Sequence, residues 1–288
     1  MRGVNDGLTE LPDILVEPLI RAALLEDLGI AGDVTTDAVV APGIEVEAIF
    51  RARVDGVVAG LSAARLAFTL LDPSVRFVSV LRDGARVVTG SEIARVAGRA
   101  TTVLGGERVA LNILSHLSGI ATATNGIVRA VSHTKARVCC TRKTLPGLRS
   151  LQKYAVRAGG GANHRLRLDD AILIKDNHLA LAGGVRPALE RARARAGHLV
   201  KIELEVDTLS QLAEAIAAGG ADAYLLDNMS PALLREAVGM IGGRAIAEAS
   251  GGITPQTAPA IAEAGVDVLS LGWLTHTVRA LDIGLDIG

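Results

Sequence analysis

The stretch KIELEVDTLSQLAEAIAAGGADAYLLDN, residues 201–228, decides the fold. It opens on an apolar strand-like run, passes through the Ala-rich SQLAEAIAAGG, which reads as a helix closed by glycines, and ends on a second strand-like run. That is one βα unit. Working outward, the runs KIELEVD (from Lys201), AYLLDN (from Ala223), AIAEASGG (from Ala245) and VLSLGWLT (from Val268) start about 22 residues apart, and RVCCTR (from Arg137) and AILIKDN (from Ala171) precede them. Strand alternating with helix predicts a parallel sheet, and six strands, fewer than the eight of a closed barrel, predict an open or partial β/α barrel.

Upstream the rhythm changes. Apolar residues recur at helical spacing from about Leu11 to Leu28, and GDVTT (32–36) breaks the pattern as a loop. Between about Ile44 and Arg99, short β-branched runs cut by Asp-Gly and Gly turns predict a small antiparallel domain. A long helix from Glu107 toward Val131, with Ala110, Leu111, Leu114 and Leu117 on one stripe, would then connect the halves. The overall class is α/β.

The bulk numbers narrow the function. Thirty basic residues against 31 acidic leave a net charge of −1, so no global field draws a polyanion, and 2% aromatics leave few platforms for stacked bases. Neither nucleic acid nor a membrane is expected as partner: the opening MRGVNDGLTELPD lacks the apolar stretch of a signal peptide, and no run reaches about 18 uninterrupted apolar residues. Cys139 and Cys140 are sequence neighbours, which point to opposite faces of a strand, so they imply neither disulfide nor zinc site, and a reducing cytoplasm fits.

Catalytic groups of such barrels come from the C-terminal strand ends. Here those ends carry Arg142 and Lys143, Lys175 and Asp176, Glu205 and Asp207, Asp227, then Glu248 and Ser250. Any one of these is open to a bland reading, a buried run meeting water; the repetition over five strands favours a site. The last two strands end in SGG (250–252) and LGWLTH (271–276), where glycines admit a phosphate to backbone N–H groups or merely make tight turns. Basic residues gather at Arg142, Lys143, Arg149, Lys153, Arg157, His164, Arg165 and Lys175, a mixture suited to a ligand with several anionic groups, although Arg149 and Arg157 also fit a solvated helix face. Glu205 and Asp227 either hold magnesium together with substrate phosphates or pair with Lys175 or Arg142 as salt bridges.

These segments resemble a known family. EDLGIAGDVTT (26–36), ERVALNILSHLSGIATAT (107–124), TRKTLPGLRSLQKYAVRAGGGANHR (141–165), ILIKDNH (172–178), ELEVDT (203–208), LLDN (225–228), EASGGIT (248–254) and LGWLTH (271–276) occur in the order seen in the quinolinate phosphoribosyltransferases. The resemblance implies an N-terminal α/β sandwich and start of a connecting helix over residues 1–118, an open barrel over 119–275, and a tail, 276–288, returning to the first domain. It implies a homodimer or an oligomer of dimers with shared sites, Arg108 reaching the partner's barrel. The quinolinate site resembles Arg108, Thr141, Arg142, Lys143, His164, Arg165 and Lys175; the phosphoribosyl pyrophosphate and Mg2+ site resembles Glu205, Asp227, Ser250, Gly251, Gly252, Leu271, Gly272, Trp273 and His276. Lys143, Lys175, Glu205 and Asp227 are the expected catalytic set, Glu205 and Asp227 holding the metal directly or through water. Cys140, where the family often carries Asp, and Trp273, where a smaller residue is expected, depart from the pattern.

The chemistry so implied joins the pyridine nitrogen of quinolinate to the anomeric carbon as pyrophosphate leaves, with magnesium stabilising the departing charge, after which the cationic ring drives loss of carbon dioxide. No covalent nucleophile is required. His164 and His276 either contact ligand or satisfy helix and backbone groups. One rival remains at this point and another is ruled out. A related transferase would take nicotinate, which lacks the second carboxylate. A biotinyl or lipoyl carrier, suggested by the turns DGVVAG and DGARVVTG, is excluded because no lysine occurs before Lys135.

Overall fold

A computed structural model describes residues 7–288; the first six, part of the stretch read against a signal peptide, lie outside the described residues. The chain forms two compact units. Of the described residues, one takes those up to Asn125, Thr144–Gly160 and Leu274–Gly288, and the other Gly126–Lys143 and Gly161–Trp273.

The first unit opens with α1 (Asp13–Leu28), which buries Val16, Ile20 and Leu24, one residue per turn on a single stripe. The segment read as a loop contains a short helix, α2 (Val34–Val39). Asp33 starts it, its Oδ1 accepting the Thr35 and Thr36 N–H groups, so the Asp of GDVTT is a helix cap. Then come β1 (Glu45–Ala52), β2 (Gly56–Val57), α3 (Leu61–Thr69), β3 (Arg76–Ser79), β4 (Arg86–Val87) and β5 (Glu92–Arg99). The larger sheet is antiparallel, as the turn-rich sequence predicts. The chain's three phenylalanines, Phe50, Phe68 and Phe77, meet there with ring centroids 5.9–6.2 Å apart.

The long helix α4 (Ala100–Ala130) begins earlier than the sequence reading placed it. Gly105 and Gly106 lie within it, and a Cβ on Gly106 would lie 2.7 Å from the Phe68 ring and 3.0 Å from the Ala67 carbonyl oxygen. The glycine is in the helix to let α3 approach, and packing overrides its low propensity.

The second unit is the open barrel. Its six strands are β6 (Arg137–Cys139), β7 (Ile172–Ile174), β8 (Ile202–Val206), β9 (Ala223–Asp227), β10 (Ile246–Ser250) and β11 (Val268–Ser270), each within a run picked out above. All neighbours are parallel, in the order β6-β11-β10-β9-β8-β7, and the sheet does not close. Between the chain positions of β6 and β7 lies α5 (Arg149–Ala158), which groups with the first unit. Along the opening, Ala162 makes a single parallel bridge to Cys139 on β6 and so brings the segment with His164 and Arg165 to the barrel. Helices α6 (Asp176–Ala182), α7 (Val185–Arg195), α8 (Leu209–Ala218), α9 (Pro231–Ile241) and α10 (Ala258–Ala262) connect the strands; a 3-10 turn at Trp273–Thr275 follows β11. The chain ends in β12 (Ile283–Ile287), which pairs antiparallel with β1.

Register decides which side chains share a face. Glu205 pairs with Leu225, Leu225 with Glu248 and Glu248 with Val268, while Asp227 pairs with Ser250 and Ser250 with Ser270. With a two-residue alternation, Glu203, Glu205, Asp227, Glu248, Ser250 and Ser270 all lie on one face of the sheet. The other face carries Leu204, Val206, Leu226 and Leu269, each with no accessible surface. At the strand starts a clamp recurs. Asp222 Oδ2 accepts from the Ile202 N–H while Oδ1 meets Lys201 Nζ at 2.5 Å, and Asp267 Oδ2 accepts from the Ala247 N–H while Oδ1 meets Lys135 Nζ at 2.6 Å.

Candidate active site

The C-terminal ends of β6 to β11 gather most of the residues singled out in the sequence. After β6, Thr141 Oγ1 accepts the Lys143 N–H at 3.1 Å, turning the chain so that Arg142 and Lys143 are exposed. Cys140, fully buried, sends its thiol to Asn163 Oδ1 at 3.3 Å. The neutral thiol thus bridges TRKT to the loop bearing His164 and Arg165, where a carboxylate would instead carry charge.

Arg165 is half-buried. Its Nη1 donates to the Ala171 carbonyl at 2.9 Å, but its buried Nε has no hydrogen-bond partner. Burial pulls the guanidinium below its ordinary pKa, the positive charge of Arg142 adds to that, and Glu203 opposes it. Two guanidinium groups that repel, one holding an unused buried donor, have the chemistry that suits an anion. His164 turns both ring nitrogens onto the protein. Nδ1 accepts the Arg165 N–H at 2.8 Å and Nε2 lies 2.9 Å from Glu203 Oε2 and 3.5 Å from Glu248 Oε1. The backbone donor fixes the tautomer, with the proton on Nε2.

At the end of β7, Lys175 is the residue before α6, and its Nζ pairs with Glu205 Oε2. The salt bridge weighed for Glu205 is therefore present. Asp227, at the end of β9, accepts from Asn228 Nδ2 at 2.6 Å. Asn228 has a positive φ of 53°, and its N–H donates to the Ser250 carbonyl at 2.9 Å, tying the β9 loop to the β10 loop. Gly251 must be glycine: φ is +89°, and a Cβ would lie 2.1 Å from Asn228 Oδ1 and 2.9 Å from its backbone nitrogen. At Gly272 a Cβ would lie 2.7 Å from Lys143 Cδ, so this glycine lets the β11 loop meet the β6 loop. Leu271 is buried and offers only backbone, and Trp273 Nε1 donates to the Ile253 carbonyl at 2.9 Å, bracing the two Gly-containing loops together. Gly252 is exposed between them.

Two of the predicted residues lie in the other unit: Arg108, exposed on α4 with Glu107 at 3.7 Å, and His276, exposed, with Thr277 Oγ1 on its Nδ1. Asp176 and Asp207 face solvent. Of the basic stretch, Lys153 is buried to 1% exposure in α5 and Arg149 Nε donates to Thr144 Oγ1 at 2.9 Å, so both serve the first unit.

A cavity of about 850 Å3 enters the barrel from the opposite, N-terminal mouth, between the Lys135–Asp267 and Lys201–Asp222 pairs, and reaches His164, Arg165, Glu203 and Glu248. The sequence reading missed Glu203, although the alternation of IELEV places it on the face of Glu205. Among the described residues, His164, Glu203 and Glu248 are the one three-membered group at metal-ligand spacing, with atoms within 4.8 Å of one another. Arg142, Lys175, Glu205 and Asp227 do not line the cavity. The strand-end loops remain the better candidate for chemistry, since barrels assemble their sites there.

Comparison with known proteins agrees with this arrangement. Residues 33–118 match the sequence model of the quinolinate phosphoribosyl transferase N-terminal domain, and residues 120–286 that of its C-terminal domain. The chain is 46% identical over 276 residues to the nicotinate-nucleotide pyrophosphorylase (carboxylating) of Mycobacterium leprae, covering 93% of this chain and 95% of that protein. It is 40% identical over 293 residues to the chloroplastic enzyme of that name from Arabidopsis thaliana, covering 96% and 84%. The solved nicotinate-nucleotide pyrophosphorylase from Francisella tularensis superposes with a TM-score of 0.93 at 37% identity, covering 99% of this chain and all of that one. With both domain models matched in order and relatives aligned along nearly the whole length, the chain belongs to the quinolinate phosphoribosyl transferase family.

Proposed function

We propose that this protein joins quinolinate to phosphoribosyl pyrophosphate and decarboxylates the adduct, yielding nicotinate mononucleotide, carbon dioxide and pyrophosphate for de novo NAD synthesis. The observation that carries this is the Arg142–Arg165 pair, two like charges held close, one of them with an unpaired buried Nε. An ortho-dicarboxylate supplies two anionic groups to such a pair. Arg165 and Arg142 bind the carboxylates, Lys143 and Thr141 support them from the β6 loop, and Lys175 fixes the acid side of the pocket through Glu205. The Gly251, Gly252 and Gly272 loops, with Ser250, the Leu271 backbone and Trp273, receive the phosphates. The residues act by positioning and by neutralising charge; the ring cation formed on ribosylation stabilises the carbanion left when the adjacent carboxylate departs.

Magnesium fits the donor chemistry of the β8 and β9 ends. Glu205 and Asp227 are half-buried oxygen donors on one sheet face, and two carboxylates completed by substrate phosphates suit this hard cation. When bound, it would neutralise charge building on the pyrophosphate. The Lys175 ammonium holds the Glu205 carboxylate in place.

The protein works as a homodimer in this proposal, exposed Arg108 of one subunit completing the other's quinolinate site. Buried thiols at Cys139 and Cys140, neither in a disulfide, suit a reducing cytoplasm. Among the described residues no helix is long and apolar enough to cross a membrane. Substrate choice tests the reading: quinolinate should be turned over and nicotinate barely, because nicotinate leaves a guanidinium unpaired. Comparable kcat/KM for the two would refute the dicarboxylate assignment.

A further inference from the structure

We propose that Glu248 is a neutral acid that hydrogen-bonds to Glu203 and, through Glu203 and His164, positions Arg165 for the substrate carboxylate. A count of hydrogens leads there. His164 Nδ1 is taken by the Arg165 N–H, so the single imidazole proton on Nε2 goes to Glu203 Oε2 at 2.9 Å. Ser270 Oγ donates to Glu248 Oε1 at 2.5 Å. Glu203 Oε1 is then left buried with no partner, in a residue 8% exposed. Carboxylate oxygens of Glu203 and Glu248 lie within 4.8 Å of each other, so a proton on Glu248 offers Glu203 the donor its unpartnered oxygen lacks.

Charge leads to the same assignment. Two buried carboxylates beside a neutral imidazole cannot both ionise cheaply. Burial, reinforced by the Glu203 charge, pushes Glu248 up to about 7. The groups facing it are Glu203 and Glu205 on β8, Ser270 on β11, and His164 and Arg165 on the loop, with Arg142 beyond Arg165 and Glu205 itself paired with Lys175. One negative charge, on Glu203, remains to hold Arg165. A second would draw the guanidinium into the barrel and away from the strand ends. Glu203 and Glu248 are thus positioning residues.

The inference rests on the functional reading only for the identity of the substrate. Two variants of nearly unchanged shape separate the roles. Glu248→Gln keeps a neutral donor toward Glu203 and should leave the quinolinate KM within about twofold, whereas Glu203→Gln removes the charge and should raise it about tenfold, with the phosphoribosyl pyrophosphate KM unmoved. Infrared spectroscopy supplies a readout independent of substrate: at about pH 6, wild type should show a protonated-carboxyl band that Glu248→Gln lacks. Equal KM losses in the two variants, or no such band, would overturn the proposal. So would loss of wild-type activity in 1,10-phenanthroline with recovery on adding zinc, which would make the three residues a metal site. Failure of wild type to use quinolinate counts against the functional reading, and the infrared band still decides this one.

Discussion

Replacing Gly251 by alanine should damage the protein far more than the same change at its neighbour Gly252. At Gly251, φ is +89°, and the added methyl would lie 2.1 Å from Asn228 Oδ1 and 2.9 Å from the Asn228 backbone nitrogen. The left-handed backbone alone costs alanine about 1–2 kcal/mol. Swinging the Asn228 amide aside breaks its hydrogen bond to Asp227 Oδ2, worth about 1 kcal/mol at an exposed position. The contact with the backbone nitrogen cannot be relieved by a side chain, so the main chain must shift, adding about 1 kcal/mol or more. The sum is about 4 kcal/mol. Gly252 also has a positive φ, +58°, but nothing lies within 4 Å of the place an added methyl would take, leaving about 1 kcal/mol. At about 2–4 °C per kcal/mol for a protein of this size, Tm should fall by about 10 °C for Gly251→Ala and about 3 °C for Gly252→Ala in calorimetry. Because Asp227 loses its tether, the Gly251 variant should also raise the phosphoribosyl pyrophosphate KM. Equal Tm shifts, or a larger one at Gly252, would refute the close approach of the two loops.

Three further outcomes follow from the same geometry. The folded-state pKa of Glu248, about 7, is raised above its ordinary 4.5, so its contribution to stability is fully present below about pH 4.5 and lost as pH rises through about 7; urea unfolding of wild type against Glu248→Gln should show the difference growing over that window by up to about 3 kcal/mol, and a pH-independent difference would contradict it. Glu205→Ala and Asp227→Ala should cut kcat far more than they weaken quinolinate binding measured alone, whereas equal losses of both, or a collapse in Tm, would favour a purely structural salt bridge. Inactive Arg108→Ala and Lys175→Ala chains, dissociated and reassorted together, should regain about a quarter of wild-type activity if Arg108 acts across a two-fold dimer, since half the dimers are mixed and each holds one intact site; no recovery with mixed dimers confirmed by mass would place Arg108 in its own chain's site.

The barrel was readable because each of its strands is a short aliphatic run with its own turn signals, and β8 to β11 recur at nearly constant spacing. Where the reading erred, longer-range packing or a cap decided. The long helix was read from Glu107, yet it starts at Ala100, because Phe68 on α3, far away in sequence, requires the missing side chain of Gly106 inside α4. The Asp of GDVTT looked like part of a loop, and its carboxylate is what starts α2. Helix α3 itself, LSAARLAFT, is so rich in small buried residues that it lacks a polar face to mark its period. Strand-end charges were legible as a set, but not their partners. Glu205 pairing with Lys175 rests on adjacency of β7 and β8, and Glu203 with Glu248 on the fact that two strands separated by β9 curve toward one interior. Glu248, read as a strand-end group, is buried within β10.

The central claim is tested most directly by incubating the purified protein with carboxyl-labelled quinolinate, phosphoribosyl pyrophosphate and magnesium, and measuring nicotinate mononucleotide and labelled carbon dioxide in the same sample. The account predicts both products in equal amounts, each dependent on phosphoribosyl pyrophosphate. Ribosylation without carbon dioxide, or no mononucleotide at all, would contradict it.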